Sequence, residues 1–336
     1  MTAGRGIICG GCWIVDYNNS ISGWPEEETL AVILSREIRG GGPSHNMAVD
    51  LARLGAPFPL WGMGVVGDDD GGRLLLGTCA EHGIDRDRIR VVPGIGTAHT
   101  DVMTVQSTGH RTFFHHQGAN ALVEPGDFDF AGIPARMLHL GAPGIHAAMD
   151  APSGDDANGW VTVLRRAHGA GLRTNLEMVS GDPEGLRRLV IPCLPHLDSL
   201  IINDFEAGAL AGVEVVKDGV TSVEGARQAA AILLGQGPME AVVIHYPAGC
   251  VAAARDGRIL ALPSVKVPQE AIKGANGAGD AFAAGVLFGL HEAWPLEEGL
   301  RLGLCSAAAA LRSVSTCGSV VPVAQCLALG EAWGWR

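Results

Sequence analysis

The sequence predicts an α/β fold with a mostly parallel central sheet, and three observations carry that expectation. Short β-like apolar runs alternate with helical stretches along most of the chain. Most of these runs lead into a helix, the usual connection between parallel strands. Two further β-like runs, joined by a tight polar turn, break the rhythm and read as an antiparallel flap on the sheet edge.

In chain order, Ile7–Val15 reads as the first strand, and Asn18–Arg39 as irregular, with an apolar piece at Leu30–Leu34. Ser44–Leu54 reads as a helix, with Met47, Leu51 and Leu54 on one face and Gly55 closing it. Pro59–Val66 follows as a strand, and Arg73–His82 as a helix ended by Gly83. Thr97–Gln106 and Arg111–His116 form the flap hairpin around Ser107-Thr108-Gly109-His110. Arg136–Leu140, Leu172–Leu176, Ser199–Ile202 and Ala241–His245 are short strands, with helical stretches at Gly159–His168 and Ser222–Gly235. From Asp280 onward the chain is helical, and Gly285, Gly289 and several alanines mark close packing. No repeat, linker or low-complexity stretch interrupts it. One domain over residues 1–336 is expected, with lid segments near 14–40 and 95–120.

Composition narrows the function. Apolar residues make up 47% of the 336 and charged ones 18%, a globular balance. A net charge of −12 without a basic stripe excludes a binder of nucleic-acid backbone, though not of a small anion. No apolar run reaches the about 18 residues of a membrane span, and the start makes a poor signal peptide, so a cytoplasmic protein is expected. The eight cysteines are scattered, several inside apolar runs (Cys9, Cys193, Cys250, Cys305), and read as buried thiols.

Several motifs compete. Gly62-Met-Gly-Val-Val-Gly67 has the dinucleotide-binding spacing after a strand, with Asp85 beyond it as a ribose-binding acid. Asp68-Asp69-Asp70 follows at once, however, and three carboxylates there repel a pyrophosphate. Cys9 and Cys12 have redox or zinc spacing, but residues three apart on a strand point to opposite faces. His115 and His116, beside His110, point apart for the same reason. No Gly-Lys-Ser/Thr phosphate loop exists.

Asp280 stands directly behind Gly277-Ala278-Gly279, at the mouth of an apolar segment. A helix beginning there aims free N–H groups and its positive dipole end into the loop, a site for anionic oxygens. The small residues let the backbone itself touch the ligand. A carboxylate beside that site can take a proton from a hydroxyl attacking a phosphoryl group. The plainer alternative is a helix-capping aspartate.

Other residues accompany it: Gly40-Gly-Gly-Pro-Ser-His-Asn46 opening a helix, Asp16 after the first strand, and Asn203-Asp-Phe-Glu206 after another. In this order they resemble the ribokinase-like sugar kinases, the PfkB family, from about Cys9 to Pro322. The resemblance implies a three-layer fold with a small β lid, and an ATP-dependent kinase acting on a primary hydroxyl of a small carbohydrate. It implies Asp280 as general base and Gly277, Ala278 and Gly279 as anion hole. Asp16, Gly41, Gly42 and Asn46 would hold the sugar. Asn203, Glu206, Gly249 and Asn276 would serve ATP, with Glu206 holding Mg²⁺ through water. Gly118-Ala119-Asn120 resembles the stretch that closes the lid region, and a homodimer through the lid is a further expectation.

The chain departs from that pattern in three places. Gly274-Ala275-Asn276 replaces the usual Asp-Thr-Thr, so little activation by a monovalent cation is expected. Gly141 stands where ribokinases carry a sugar-binding Glu, which suggests room for a different or larger substrate. His245-Tyr-Pro-Ala-Gly249 replaces the usual Gly-rich nucleotide loop, so Pro247 and Gly249 shape the ATP pocket. A nucleoside kinase of the same fold is the nearest alternative. More distant are a non-catalytic sugar-binding protein and a nicotinamide oxidoreductase using Gly62–Gly67.

Overall fold

A computed structural model describes residues 4–336; residues 1–3 lie outside the described residues. The strands are β1 Ile7–Gly11, β2 Ile14–Ile21, β3 Ile33–Gly41, β4 Leu60–Gly67, β5 Asp85–Val92, β6 His99–Val105, β7 Arg111–His116 and β8 Met137–Gly141. They continue with β9 Arg173–Leu176, β10 Ser199–Asn203, β11 Val216–Lys217, β12 Val220–Thr221, β13 Ala241–Tyr246, β14 Gly249–Ala254 and β15 Ile259–Pro263.

Nine of them form one sheet, ordered β15-β14-β13-β10-β9-β8-β1-β4-β5. Pairing is parallel from β13 through β5, and β14 and β15 close one edge antiparallel. The interior strand β1 is buried throughout, as a strand covered on both faces must be. Two apolar cores lie on the two faces. One is built on Met47, Leu51 and Phe282, the other on Leu138, Trp160 and Leu200. The chain winds outward from β1 to β5, then returns through β8 and winds the other way. That reversal opens a crevice at the C-terminal strand ends, where ligands of such sheets bind.

The small sheet, ordered β3-β2-β6-β7, stands apart. Its making corrects the expectation of one strand over Ile7–Val15. Cys12 N–H gives a bond to Gly141 O at 2.7 Å, after which the chain leaves the large sheet and Ile14 pairs with Gly41. The irregular stretch Asn18–Arg39 therefore contains half of β2 and most of β3, whose pairing the sequence did not reveal.

Helix positions follow local chemistry. The helix Pro43–Leu54 has Pro at its first turn and ends at Gly55 in the left-handed region. The helix Asp70–Glu81 starts earlier than Arg73 because Asp69 caps it, accepting from Gly72 N–H at 2.8 Å. Asp69 also accepts from Thr97 N–H and hydroxyl, tying that helix to the strand-leading loop. The acid run is thus a helix start, and Gly62–Gly67 lies wholly inside β4 rather than at a strand-to-helix turn. The helices Ala278–His291 and Leu296–Ala310 touch through facing glycines, Gly285 on Gly303 and Gly289 on Gly299. All eight cysteines are free and buried.

Candidate active site

The helix Ala278–His291 begins at Gly277, whose φ is 71°. A Cβ on Gly277 would stand 1.8 Å from Thr316 O, so both the backbone angle and the neighbour exclude a side chain. Ala281 N–H is the first to return a bond, to Gly277 O at 2.9 Å. Helix geometry therefore leaves the Gly279 and Asp280 N–H groups facing the mouth of the loop, with the dipole behind them. His245 packs against Gly279; burial pushes its pKa down to about 4, leaving the ring neutral beside this donor pair.

Asp280 does not behave as a cap. Its Oδ2 accepts from Asn46 Nδ2 at 2.6 Å, a side chain on the helix Pro43–Leu54. Burial holds the Asp280 carboxyl well above the usual range, and the charge and hydrogen bond of Glu177 raise it further. Asp16 is buried too. Burial first, then the Asp280 charge, pushes it up to about 7. Gly41 is what lets Asp16 in, since a Cβ there would lie 2.1 Å from Asp16 Oδ2. Gly42, with φ 87°, caps the helix that carries Asn46. The sequence thus brings Asp16, Gly41, Gly42, Asn46 and Asp280 to one place from four separate elements.

Two neighbouring cavities complete the crevice. One, of about 260 Å³, is lined by Glu177, Asn203, Glu206, Gly277, Gly279 and Asp280 among others. Glu206 and Asn203 cap one helix reciprocally: Glu206 N–H donates to Asn203 Oδ1 at 2.8 Å, and Asn203 N–H to Glu206 Oε2 at 3.0 Å. Glu206 Oε1 accepts from Ser180 Oγ at 2.7 Å, yet burial still pushes its pKa up to about 7. The other cavity, of about 480 Å³, is mostly apolar and is lined by Tyr246, Pro247, Gly249, Val267, Ile272 and Phe282. Asn203, Ser180, His245 and Gly279 border both. Asn276 lines neither cavity; its Oδ1 accepts from Arg111 of β7, joining the small sheet to the anion-hole loop. Asn120 is fully buried, its Nδ2 3.6 Å from Cys12 Sγ.

A model of the pfkB family carbohydrate kinases matches residues 13–323. The chain belongs to that family. It is 29% identical over 294 residues to a fructokinase of Klebsiella pneumoniae, covering 85% of this chain and 86% of that one. It is 30% identical over 267 residues to an ATP-dependent ribose-1-phosphate kinase of Halopiger xanaduensis, covering 78% and 77%. The structure of ribokinase from Cryptococcus neoformans var. grubii serotype A in complex with ADP superposes with a TM-score of 0.77 at 20% identity, covering 99% of this chain and 100% of that one. The chain is an ATP-dependent carbohydrate kinase, a phosphotransferase with an alcohol group as acceptor, on the three-layer ribokinase-like fold.

Three residues of this kinase escaped the sequence. Glu177 follows β9 and lines the same cavity as Asp280; its position just past a strand end was the available signal. His139, inside β8, lies 3.0 Å from Glu177, and Arg111 reaches across from the small sheet; neither had a local signature. At Gly141 a Cβ would lie 3.2 Å from Glu177 O and 3.4 Å from Pro43 Cβ, so the end of β8 runs close to both.

Proposed function

We propose that this kinase transfers the γ-phosphoryl group of ATP to a primary hydroxyl of a small sugar, with Asp280 as general base. One juxtaposition supports the reading: a buried carboxyl, fixed at 2.6 Å by Asn46, borders the free N–H groups of a helix start. Asp16, Gly41, Gly42 and Asn46 hold and orient the sugar. The hydroxyl gives its proton to Asp280 while its oxygen attacks the γ-phosphorus in line, and the N–H groups of Gly279 and Asp280 stabilise the phosphoryl oxygens. The apolar cavity around Gly249 takes the adenine, and Asn203 lies between it and the phosphate end.

The donor set suits Mg²⁺, since Glu206 is a buried carboxyl and neither Lys nor Arg lines its cavity. Both Glu206 oxygens already accept hydrogen bonds, so it would hold the ion through water. Bound there, Mg²⁺ would neutralise charge on the phosphate oxygens. The chain, 1–336, works as one domain, with the small sheet as its lid. The lid carries outward apolar residues, Leu30 at 85% and Phe113 at 57% exposure, through which a second copy would pair. The kinase is cytoplasmic; among the described residues no helix is long and apolar enough to cross a membrane.

ATP turnover across pentoses, ketohexoses, sugar acids and nucleosides tests the reading. Turnover confined to free sugars supports it. Turnover on nucleosides alone favours the nucleoside kinase, and none on any acceptor overturns both.

A further inference from the structure

The helix Val323–Trp333 stops at Gly334, whose φ of 72° belongs to the left-handed region that glycine tolerates. The chain then runs back alongside residues 264–266, which follow the edge strand β15 of the large sheet. Trp335 pairs antiparallel with Val265. Lys266 N–H donates to Gly334 O at 2.9 Å, and Arg336 N–H donates to Ser264 O at 3.0 Å. Trp335 anchors this pairing. Its ring lies against Gly330, where a Cβ would stand 2.8 Å from Cζ2, and the Arg301 guanidinium lies 5.6 Å from the ring centroid. Successive side chains of an extended segment point to opposite sides, so Arg336 is sent away from Trp335. There it joins the wall of the apolar cavity of about 480 Å³.

That wall has no other fixed positive charge. Arg336 is the one Lys or Arg among the lining residues, and Asp204 is the one acid. Asp204 is engaged elsewhere, accepting from the Thr221 hydroxyl and, at 3.0 Å, from Phe205 N–H. His245 is neutral, since burial pushes it down to about 4. The exposed guanidinium is thus left without a carboxylate from the cavity wall. Its place is tied to the loop after β13: Ser264 N–H donates to Ala248 O at 2.8 Å, and Ser264 Oγ donates to Pro247 O at 3.0 Å. That loop leaves from His245, which packs against Gly279 at the helix start. One free guanidinium and one set of backbone donors therefore serve the same crevice. A nucleoside triphosphate carries more anionic oxygens than a helix start can meet, and a guanidinium fork suits the remainder.

We propose, on the reading that this cavity takes the nucleotide, that Arg336 binds the phosphate chain of ATP and that residues 334–336 form part of the nucleotide site. The N–H groups of the helix start take the transferring phosphoryl group, and the guanidinium takes phosphate oxygens nearer the nucleoside. A charge placed there stabilises bound ATP and the transition state alike, so it acts on KM for ATP and little on kcat.

Arg336→Gln tests this through calorimetric titration with ADP and with adenosine, neither of which needs an acceptor. ADP binding should weaken roughly three- to tenfold, the scale of one charge-assisted bond discounted for its exposure. Adenosine binding should stay unchanged. Arg336→Lys, which keeps the charge but not the fork, should fall between. The ADP loss should shrink as NaCl rises from about 0.05 to 0.5 M, because salt screens an exposed charge. In turnover, KM for ATP should rise by the factor seen for ADP, with kcat within about twofold of wild type. Equal ADP affinity in wild type and Arg336→Gln would make Arg336 a solvated surface group and overturn the proposal. An equal loss for adenosine would place the guanidinium on the base and sink the phosphate assignment. Wild-type protein that binds no ADP would instead defeat the nucleotide reading of the cavity, and the proposal with it.

Discussion

Asn46 Nδ2 donates to Asp280 Oδ2 at 2.6 Å, so one hydrogen bond joins two helix starts 234 residues apart in sequence. Each helix is begun by a glycine in the left-handed region, Gly42 and Gly277. The bond fixes the carboxyl relative to the free N–H groups beside it.

Asn46→Ala removes that donor and leaves a buried carboxyl with one partner fewer. Stability should fall by about 1–3 kcal/mol, the usual cost of an orphaned buried polar group. The kcat should fall by roughly tenfold or more as Asp280 loses its orientation. Denaturant unfolding and steady-state kinetics check both; a variant equal to wild type in each shows the bond to be incidental.

The pH dependence of stability has a determined sign. Asp16, Glu177 and Glu206 are each pushed up to about 7, chiefly by burial, and burial also holds Asp50 and Asp280 well above the usual carboxylate range. The folded chain keeps protons that the unfolded chain releases from about pH 4, so stability present at low pH is lost as pH rises. His45, His139, His146 and His245, pushed down to about 4 by burial, work the other way. Their contribution grows between about pH 4 and 6.5 and then stays constant. The two sets oppose each other below about pH 6.5, and above it only the acids change. The melting temperature of the ligand-free protein should therefore fall from pH 6.5 to 8. Glu206→Gln should lessen the fall; a flat or rising profile contradicts the burial of these acids.

Nucleotide preference follows from the placement of the glycines. Gly62–Gly67 is interior strand, whereas Gly277–Gly279 opens a helix beside a cavity. ATP with Mg²⁺ should raise the melting temperature, since a ligand that binds only the folded state stabilises it. NAD should leave it unchanged. Stabilisation by NAD with indifference to ATP would reverse the assignment of the two glycine stretches.

K⁺ should activate little. Gly274 offers no carboxylate, and the loop is closed over it, because a Cβ there would lie 2.9 Å from Ser313 O. A cation site without a carboxylate loses much of its attraction in a poorly solvated loop. KCl titrated against choline chloride at constant ionic strength measures this. A rise of about tenfold, worth about 1.4 kcal/mol, would show that backbone oxygens suffice.

Much of this was legible in the sequence, for reasons that belong to particular residues. Gly55 and Gly277 announce helix boundaries because few other residues adopt positive φ. Asn46 and Asp280 were visible as types in a pattern. The strand β5, Asp85–Val92, was not, because its charged and largely exposed residues hide the apolar alternation of a sheet strand. β14 was hidden by its alanines, which favour neither strand nor turn. The Glu177 and His139 contact depends on β8 and β9 lying side by side, and strand order is set by packing that no local run records. The departure of the chain from the large sheet after Gly11 rests on a bond to Gly141, 130 positions further on, and was unreadable for the same reason.

Asp280→Asn, assayed beside Asp16→Asn, tests the central claim most directly. Asn keeps size and polarity but cannot take the hydroxyl proton, so kcat should fall by roughly 10²–10⁴. ATP binding should survive, because the donors that meet it are backbone N–H groups. Asp16→Asn should act mainly on KM for the sugar, as expected of a group that binds the ground state. If Asp280→Asn keeps more than about a tenth of wild-type kcat, Asp280 is not the general base and the account of the site fails.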